Sequence, residues 1–96
     1  VFSWDARKAV RNLAKHGVLF EEAATVFADA EGLDWEDEEH SFEERRSKRL
    51  GLSTRGRILL VVYTLRRRKN GKETIRIISA RQASSGERKA YARSED

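Results

Sequence analysis

The chain contains no cysteine and no proline, and its longest unbroken apolar run, Ile58 to Tyr63, is six residues. The missing cysteine excludes a disulfide framework, a thiolate zinc site and a thiol nucleophile. The missing proline, with only six glycines, leaves no segment that reads as a linker, a repeat or low complexity. No run approaches the roughly 20 apolar residues of a membrane helix. The opening Val1-Phe-Ser-Trp-Asp5 lacks the charged-then-apolar layout of a signal peptide, so a soluble cytoplasmic chain is expected. Its 96 residues suit one domain spanning 1–96, burying about two-thirds of the surface its unfolded chain exposes.

What is present in excess is charge. Charged residues make up 38% of the chain, against about 25% in an average domain. The net charge of +4 conceals three blocks. Residues 1–20 carry four basic groups and one acid, residues 21–44 eleven acids and no Lys or Arg, and residues 45–96 sixteen basic groups and four acids. The blocks therefore sum to +3, −11 and +12. Such polarity is expected to present one positive and one negative surface. The positive one suits a polyanion such as nucleic acid, because each cation set on a phosphate releases condensed counterions. The alternative is a set of solvated faces that keep the protein soluble.

The patterning predicts an α+β domain, a small antiparallel sheet with two N-terminal helices and one C-terminal helix. Phe2 and Trp4 alternate as in a very short strand. Asp5 is placed to cap a helix over 6–15, whose Ala6, Ala9, Val10, Leu13 and Ala14 form one apolar stripe and which Gly17 stops. Phe20, Ala23, Ala24 and Phe27 give a second helix. A brief strand around Leu33 and Trp35, a polar strand over 45–52 and a central strand over 57–68 follow. Asn70-Gly71 predicts a two-residue type I′ turn into a strand over 74–80. In that register Tyr63 faces Ile78 and Leu60 faces Arg81. Ser84 and Glu87 form a capping box opening a last helix.

Few residues carry chemistry. The acidic run Asp34 to Glu39 with His40 lacks the ligand spacing of a calcium loop or a zinc helix, and reads as a solvated loop or a contact for a basic partner. His16, in a last helical turn, suits a dipole-stabilising role or an RNA contact. The aromatics match core spacing better than base-stacking spacing. The sharper constellation is Arg57, Ser79 and Arg81, with Glu43 and Glu44 nearby: guanidiniums on a sheet suit a phosphodiester whose transition state gathers charge on its non-bridging oxygens. Strand-end salt bridges would explain the same arginines.

Phe2-Ser-Trp-Asp5, Lys8-Ala9, Asn12, Lys15-His-Gly-Val18, Phe20-Glu-Glu-Ala23 and Val26-Phe-Ala-Asp29 resemble the N-terminal half of the BrnT family. His40-Ser41, Glu43-Glu-Arg45, Gly56-Arg57, Ile75-Arg-Ile-Ile-Ser-Ala-Arg81, Glu87-Arg88 and Tyr91 resemble its second half. Leu19 stands where many members carry a serine, which removes a helix cap. The resemblance implies a RelE-like endoribonuclease toxin of a type II system, without cofactor, that blocks translation. It also implies neutralisation by a BrnA-type ribbon-helix-helix antitoxin in a two-toxin, two-antitoxin assembly that meets operator DNA only through the antitoxin. With no metal motif in the sequence, the expected reaction is metal-independent: the 2′-OH attacks the adjacent phosphate and leaves a cyclic phosphate. Arg81 and Arg57 would stabilise charge, Ser79 would position an oxygen, and Glu44 or His40 would be the base. Arg45, Lys48, Arg67 and His40 would bind RNA. The rival expectation is a non-catalytic basic module that binds nucleic acid; a third is an interaction partner that docks a basic protein through its acidic block.

Overall fold

The computed structural model describes residues 1–94. They form β1 (Phe2–Ser3), α1 (Ala6–His16), α2 (Phe20–Thr25), a 3-10 turn (Val26–Ala28), β2 (Leu33–Glu36), a second 3-10 turn (Glu38–His40), β3 (Ser47–Leu52), β4 (Ile58–Arg67), β5 (Glu73–Gln82) and α3 (Ser85–Ser94). One five-stranded sheet runs in the order β1-β5-β4-β3-β2. Its pairs are antiparallel except β1 on β5, which is parallel through Phe2↔Ile75 and Ser3↔Arg76. That corrects the expectation of a wholly antiparallel sheet. A two-residue strand has too little pattern to show its direction, which is set by α1, the helix that follows it and packs back over β5.

The helix ends follow local chemistry. The Asp5 carboxylate accepts from the Arg7 and Lys8 N–H groups, and Gly17 closes α1 at φ 68°, a left-handed conformation that glycine adopts without strain. The N-cap position of α2 is Leu19, with no side-chain cap. Helical regularity there stops at Thr25, and a 3-10 turn, Val26–Ala28, carries the chain past Phe27.

The apolar stripe expected to bury α1 does not do so. Val10 is 70% exposed and Leu13 43%, while Asn12 is buried. Asn12 donates through Nδ2 to the carbonyls of Ala80 (2.8 Å) and Val18 (3.0 Å), and its Oδ1 accepts from the Ala80 N–H (3.0 Å). The reason lies in the sheet: β1 pairs with β5 only at Ile75 and Arg76, so Ala80 lies beyond its cover. Asn12 supplies the donor and acceptor a neighbouring strand would have given, and removing it would orphan groups worth about 1–3 kcal/mol each.

The β4–β5 hairpin is regular at its far end, with Leu60↔Arg81 and Val62↔Ser79, then shifts by one at Val62/Tyr63, giving Tyr63↔Ile77 and Arg67↔Glu73. The expected Tyr63–Ile78 pair is thus corrected by a bulge that sets Ile78 aside, as extra residues in β5 are left unpaired. The turn is also not type I′. Gly71 donates to the Arg68 carbonyl (2.9 Å), Arg68 donates to the Lys72 carbonyl (2.8 Å), and of the two residues only Gly71 has positive φ. A three-residue loop, Lys69 to Gly71, ending in a left-handed glycine replaces the expected two-residue turn and moves the register by one.

Alternation along the strands makes two cores. Leu59, Val61, Ile77 and Ala80 meet Val18, Phe20, Ala23 and Val26 under α1 and α2. Leu50, Leu60 and Ala83 meet Tyr91 of α3 on the opposite face. The charge blocks are partly interleaved. Four ion pairs join the acidic block to the basic half: Glu22–Arg57, Asp34–Arg49, Glu36–Arg45 and Glu44–Arg66. Strand β2 lies antiparallel on β3, which brings acids beside bases.

Candidate active site

Between β2 and β3 the chain makes a loop whose neck is tied by Asp37 N–H donating to the Arg46 carbonyl (2.8 Å). Ser41 reinforces it: its hydroxyl donates to the Asp37 carbonyl (2.6 Å) and accepts from the Arg46 N–H (3.0 Å). The 3-10 turn returns His40 over Asp37, with Nδ1 2.9 Å from Oδ2. Asp37 is buried, while the His40 side chain is 57% exposed. A carboxylate facing Nδ1 favours the tautomer with hydrogen there, which leaves Nε2 as a proton acceptor turned outward. Sequence reading treats this stretch as a solvated loop or a contact for a basic partner, and names His40 as a candidate base without its partner Asp37. The available signal is the Asp37-x-x-His40 spacing, which one tight turn converts into a pair.

His40 and Arg46 line a cleft of about 240 Å³ together with Asp37, Lys48, Val62, Ile78 and Ser79. Lys48, Val62 and Ser79 are lateral neighbours across β3, β4 and β5, so one row of the sheet presents a cation, an apolar floor and a hydroxyl. Among the described residues neither Lys48 nor Arg46 is in an ion pair. The cleft opens on one side into a second, lined by His40, Phe42, Glu43, Glu44 and Arg46. On the other side Ile78 and Ser79 also line a groove against α1. Neighbouring hollows thus share lining residues, His40 and Arg46 on one side and Ile78 and Ser79 on the other.

The two arginines of the expected constellation do not meet. Arg57 precedes β4 on the α2 face. Its Nε donates to Glu22 Oε2 (3.0 Å), its Nη2 pairs with Oε1, and Nη2 also donates to the Gly17 carbonyl (3.3 Å). Glu22 is 5% exposed and also accepts from the Ser53 hydroxyl (2.7 Å). The Arg57 guanidinium holds the Glu22 carboxyl below the usual range, and Glu22 raises the Arg57 pKa in turn. Arg81 lies on the α3 face, its Nη1 and Nη2 donating to the two oxygens of Glu87 (2.7 and 3.0 Å). The parity was available in the sequence: Arg57 is three residues from Leu60, the partner of Arg81, and an odd separation reverses the face.

Of the other expected residues, Lys48 and His40 join Ser79, and Glu44 lines the adjoining hollow with its carboxylate 3.3 Å from Arg66. Arg45 pairs with Glu36 at 3.2 Å on the exposed side. Arg67 sits at the distal end of the hairpin, 3.7 Å from Glu73. The structure thus gathers Ser79, Lys48 and His40 and leaves Arg45 and Arg67 away from that cleft.

Glu87 offers a direct pH test. Its carboxyl is lowered from 4.5 to about 2, chiefly by the Arg81 hydrogen bonds and against a burial penalty. A depressed carboxylate stabilises the fold above its unfolded pKa, and that contribution is lost as pH falls through its folded one. With the side chain about a quarter exposed, about 2 kcal/mol is expected to vanish between pH 4.5 and 2. Urea unfolding of wild type and Glu87→Gln should converge by that amount over the window; parallel curves would contradict it.

Comparisons with known proteins agree with this architecture. Residues 4–87 match the family model described as the ribonuclease toxin, BrnT, of a type II toxin-antitoxin system. Among solved structures, the 1.1 Å crystal structure of the Brucella abortus ribonuclease toxin BrnT aligns with a TM-score of 0.63 and 23% identity, covering 88% of this chain and 96% of that one. That likeness establishes a shared fold. No curated protein matches. Since the family model spans nearly the whole chain, this protein belongs to the BrnT family, the ribonuclease toxins of type II toxin-antitoxin systems.

Proposed function

We propose that this toxin is a RelE-like, metal-independent endoribonuclease acting on cytoplasmic RNA, and that cutting it inhibits translation. The observation that carries the reading is the Asp37–His40 pair facing Lys48 and Ser79 across one cleft. His40 Nε2 takes the proton of a ribose 2′-OH while that oxygen attacks the adjacent phosphorus. The bond to the 5′-oxygen breaks, that oxygen takes a proton from solvent water, and the products are a 2′,3′-cyclic phosphate and a 5′-OH, His40 returning its proton to solvent. Lys48 and Arg46, free of carboxylate partners among the described residues, stabilise the charge on the non-bridging oxygens, and the Ser79 hydroxyl donates to one of them. Arg81, 41% exposed at its side chain and on the face of Ser79, lies beside the row with its charge balanced by Glu87. Arg57 holds Glu22 and with it the end of the sheet, and Glu44 is the competing base.

The test is incubation of purified protein with RNA in excess chelator. Cyclic-phosphate ends are expected. Salt-dependent binding without any cut product would instead favour a non-catalytic nucleic-acid-binding module.

A type II toxin has an antitoxin partner. For this chain it is a BrnA-type protein whose ribbon-helix-helix portion dimerises into a two-toxin, two-antitoxin assembly and alone meets operator DNA. Its remaining segment covers the Ser79 and Arg81 surface and competes with RNA phosphates. A complex in which both side chains stay fully open to solvent would contradict direct shielding.

A further inference from the structure

We infer that a second arm of the RNA track runs along α1, where Lys8, Arg11, Lys15 and His16 hold the sugar-phosphate backbone of single-stranded RNA beside the cleavage cleft. The inference rests on the ribonuclease reading and assigns a surface which that reading leaves unused. Lys8, Arg11, Asn12, Lys15 and His16 recur at helical spacing and so share one face. That face and Ile78–Ser79 enclose a groove of about 230 Å³. The His40–Lys48 cleft shares the same Ile78 and Ser79 from the opposite side of the sheet. The two grooves therefore meet at the β5 bulge, where the sheet is uncovered past Arg76.

Charge argues for an anion. Among the described residues none of Lys8, Arg11, Lys15 and His16 is in an ion pair. The nearest acid on the same helix start, Asp5, spends its Oδ1 on the Arg7 and Lys8 N–H groups. Lys8 to Lys15 spans about 10 Å of helix axis, a row of cations in line rather than a single pocket. The path bends around a sheet edge from one face to the other. A flexible single strand follows such a bend, whereas a duplex with a persistence length of about 50 nm does not. Among the described residues the α1 groove is lined by no Phe, Tyr or Trp and mostly by cations, so it reads chiefly backbone charge rather than base identity.

The test measures binding of a 2′-O-methyl RNA, which lacks the attacking hydroxyl, by fluorescence anisotropy across a salt series in chelator. The variant is the triple Lys8→Gln, Arg11→Gln, Lys15→Gln, whose side chains are exposed. Three lost phosphate contacts should reduce the log-log salt slope by about 2. A control triple with the same charge loss at the hairpin tip, Arg68→Gln, Lys69→Gln, Lys72→Gln, should leave the slope unchanged. An α1 triple that binds like wild type overturns the arm, even if wild type cleaves RNA. Equal losses in both triples also overturn it, since they would report net charge alone. Loss of antitoxin binding with RNA binding intact would make the stripe a protein-docking face and overturn it too. If the α1 triple shows the expected slope change while wild type cuts nothing, the arm stands and the catalytic reading falls.

Discussion

His40→Ala is expected to slow RNA cleavage by about 10²–10⁴-fold, the range for removing a general base. The fold should be unaffected, because the imidazole is more than half exposed and its polar contact is with Asp37. Asp37→Asn should give a smaller loss. The amide can still meet Nδ1, but it no longer selects the tautomer that leaves Nε2 as the acceptor. Single-turnover rates with saturating protein separate this from weakened binding. A full loss in Glu44→Ala with His40→Ala unimpaired would transfer the role to Glu44, whose carboxylate lines the neighbouring hollow.

Arg57→Ala is expected to be the most destabilising single substitution of a charged residue, by about 3–5 kcal/mol, since it leaves the Glu22 carboxylate buried without its cation. That is a large fraction of the 5–15 kcal/mol typical of a domain. Unfolding can be followed through Trp4, whose ring meets Phe20 edge-on at 6.0 Å. The double variant Glu22→Gln, Arg57→Met should recover much of the loss, because the uncompensated charge is then gone. If Arg57→Ala keeps wild-type stability and loses only activity, Arg57 acts on RNA directly, as the sequence constellation suggests.

The two results would divide the arginine–serine constellation into scaffold and chemistry, a division that the sequence shows only in part. Local signals are read directly. Asp5 and Gly17 bound α1, and the Ser84/Glu87 box opens α3, with Ser84 N–H donating to Glu87 (2.8 Å) and Glu87 N–H to the Ser84 hydroxyl (3.2 Å). The far half of the β4–β5 register also follows from the sequence, because pleat parity propagates from any fixed pair. What is hidden depends on contacts between distant segments. The bulge that sets Ile78 aside arises from a turn one residue different from the expected one. Asn12 is buried because β1 stops short of Ala80, and no window around residue 12 contains that fact. The apolar Val10 and Leu13 follow helical spacing yet stay exposed, since periodicity marks a face and not what covers it. The Asp37–His40 pair depends on a neck tied nine residues apart by Arg46. The match to the family model points to ribonuclease toxins, while the cleft itself emerges only when β3, β5 and the 3-10 turn are assembled.

The most direct test of cleavage by the ribose hydroxyl uses two RNA oligonucleotides that differ by one atom. The cleavage site is first mapped on an all-ribose strand in excess chelator. A second strand then carries a single 2′-deoxynucleotide immediately 5′ of that bond. The first strand should yield a 2′,3′-cyclic phosphate at the mapped bond, and the second should remain uncut there, because the attacking oxygen is missing. Cleavage of the deoxy-substituted bond at a comparable rate would contradict the mechanism, since water or another nucleophile would then be attacking the phosphorus.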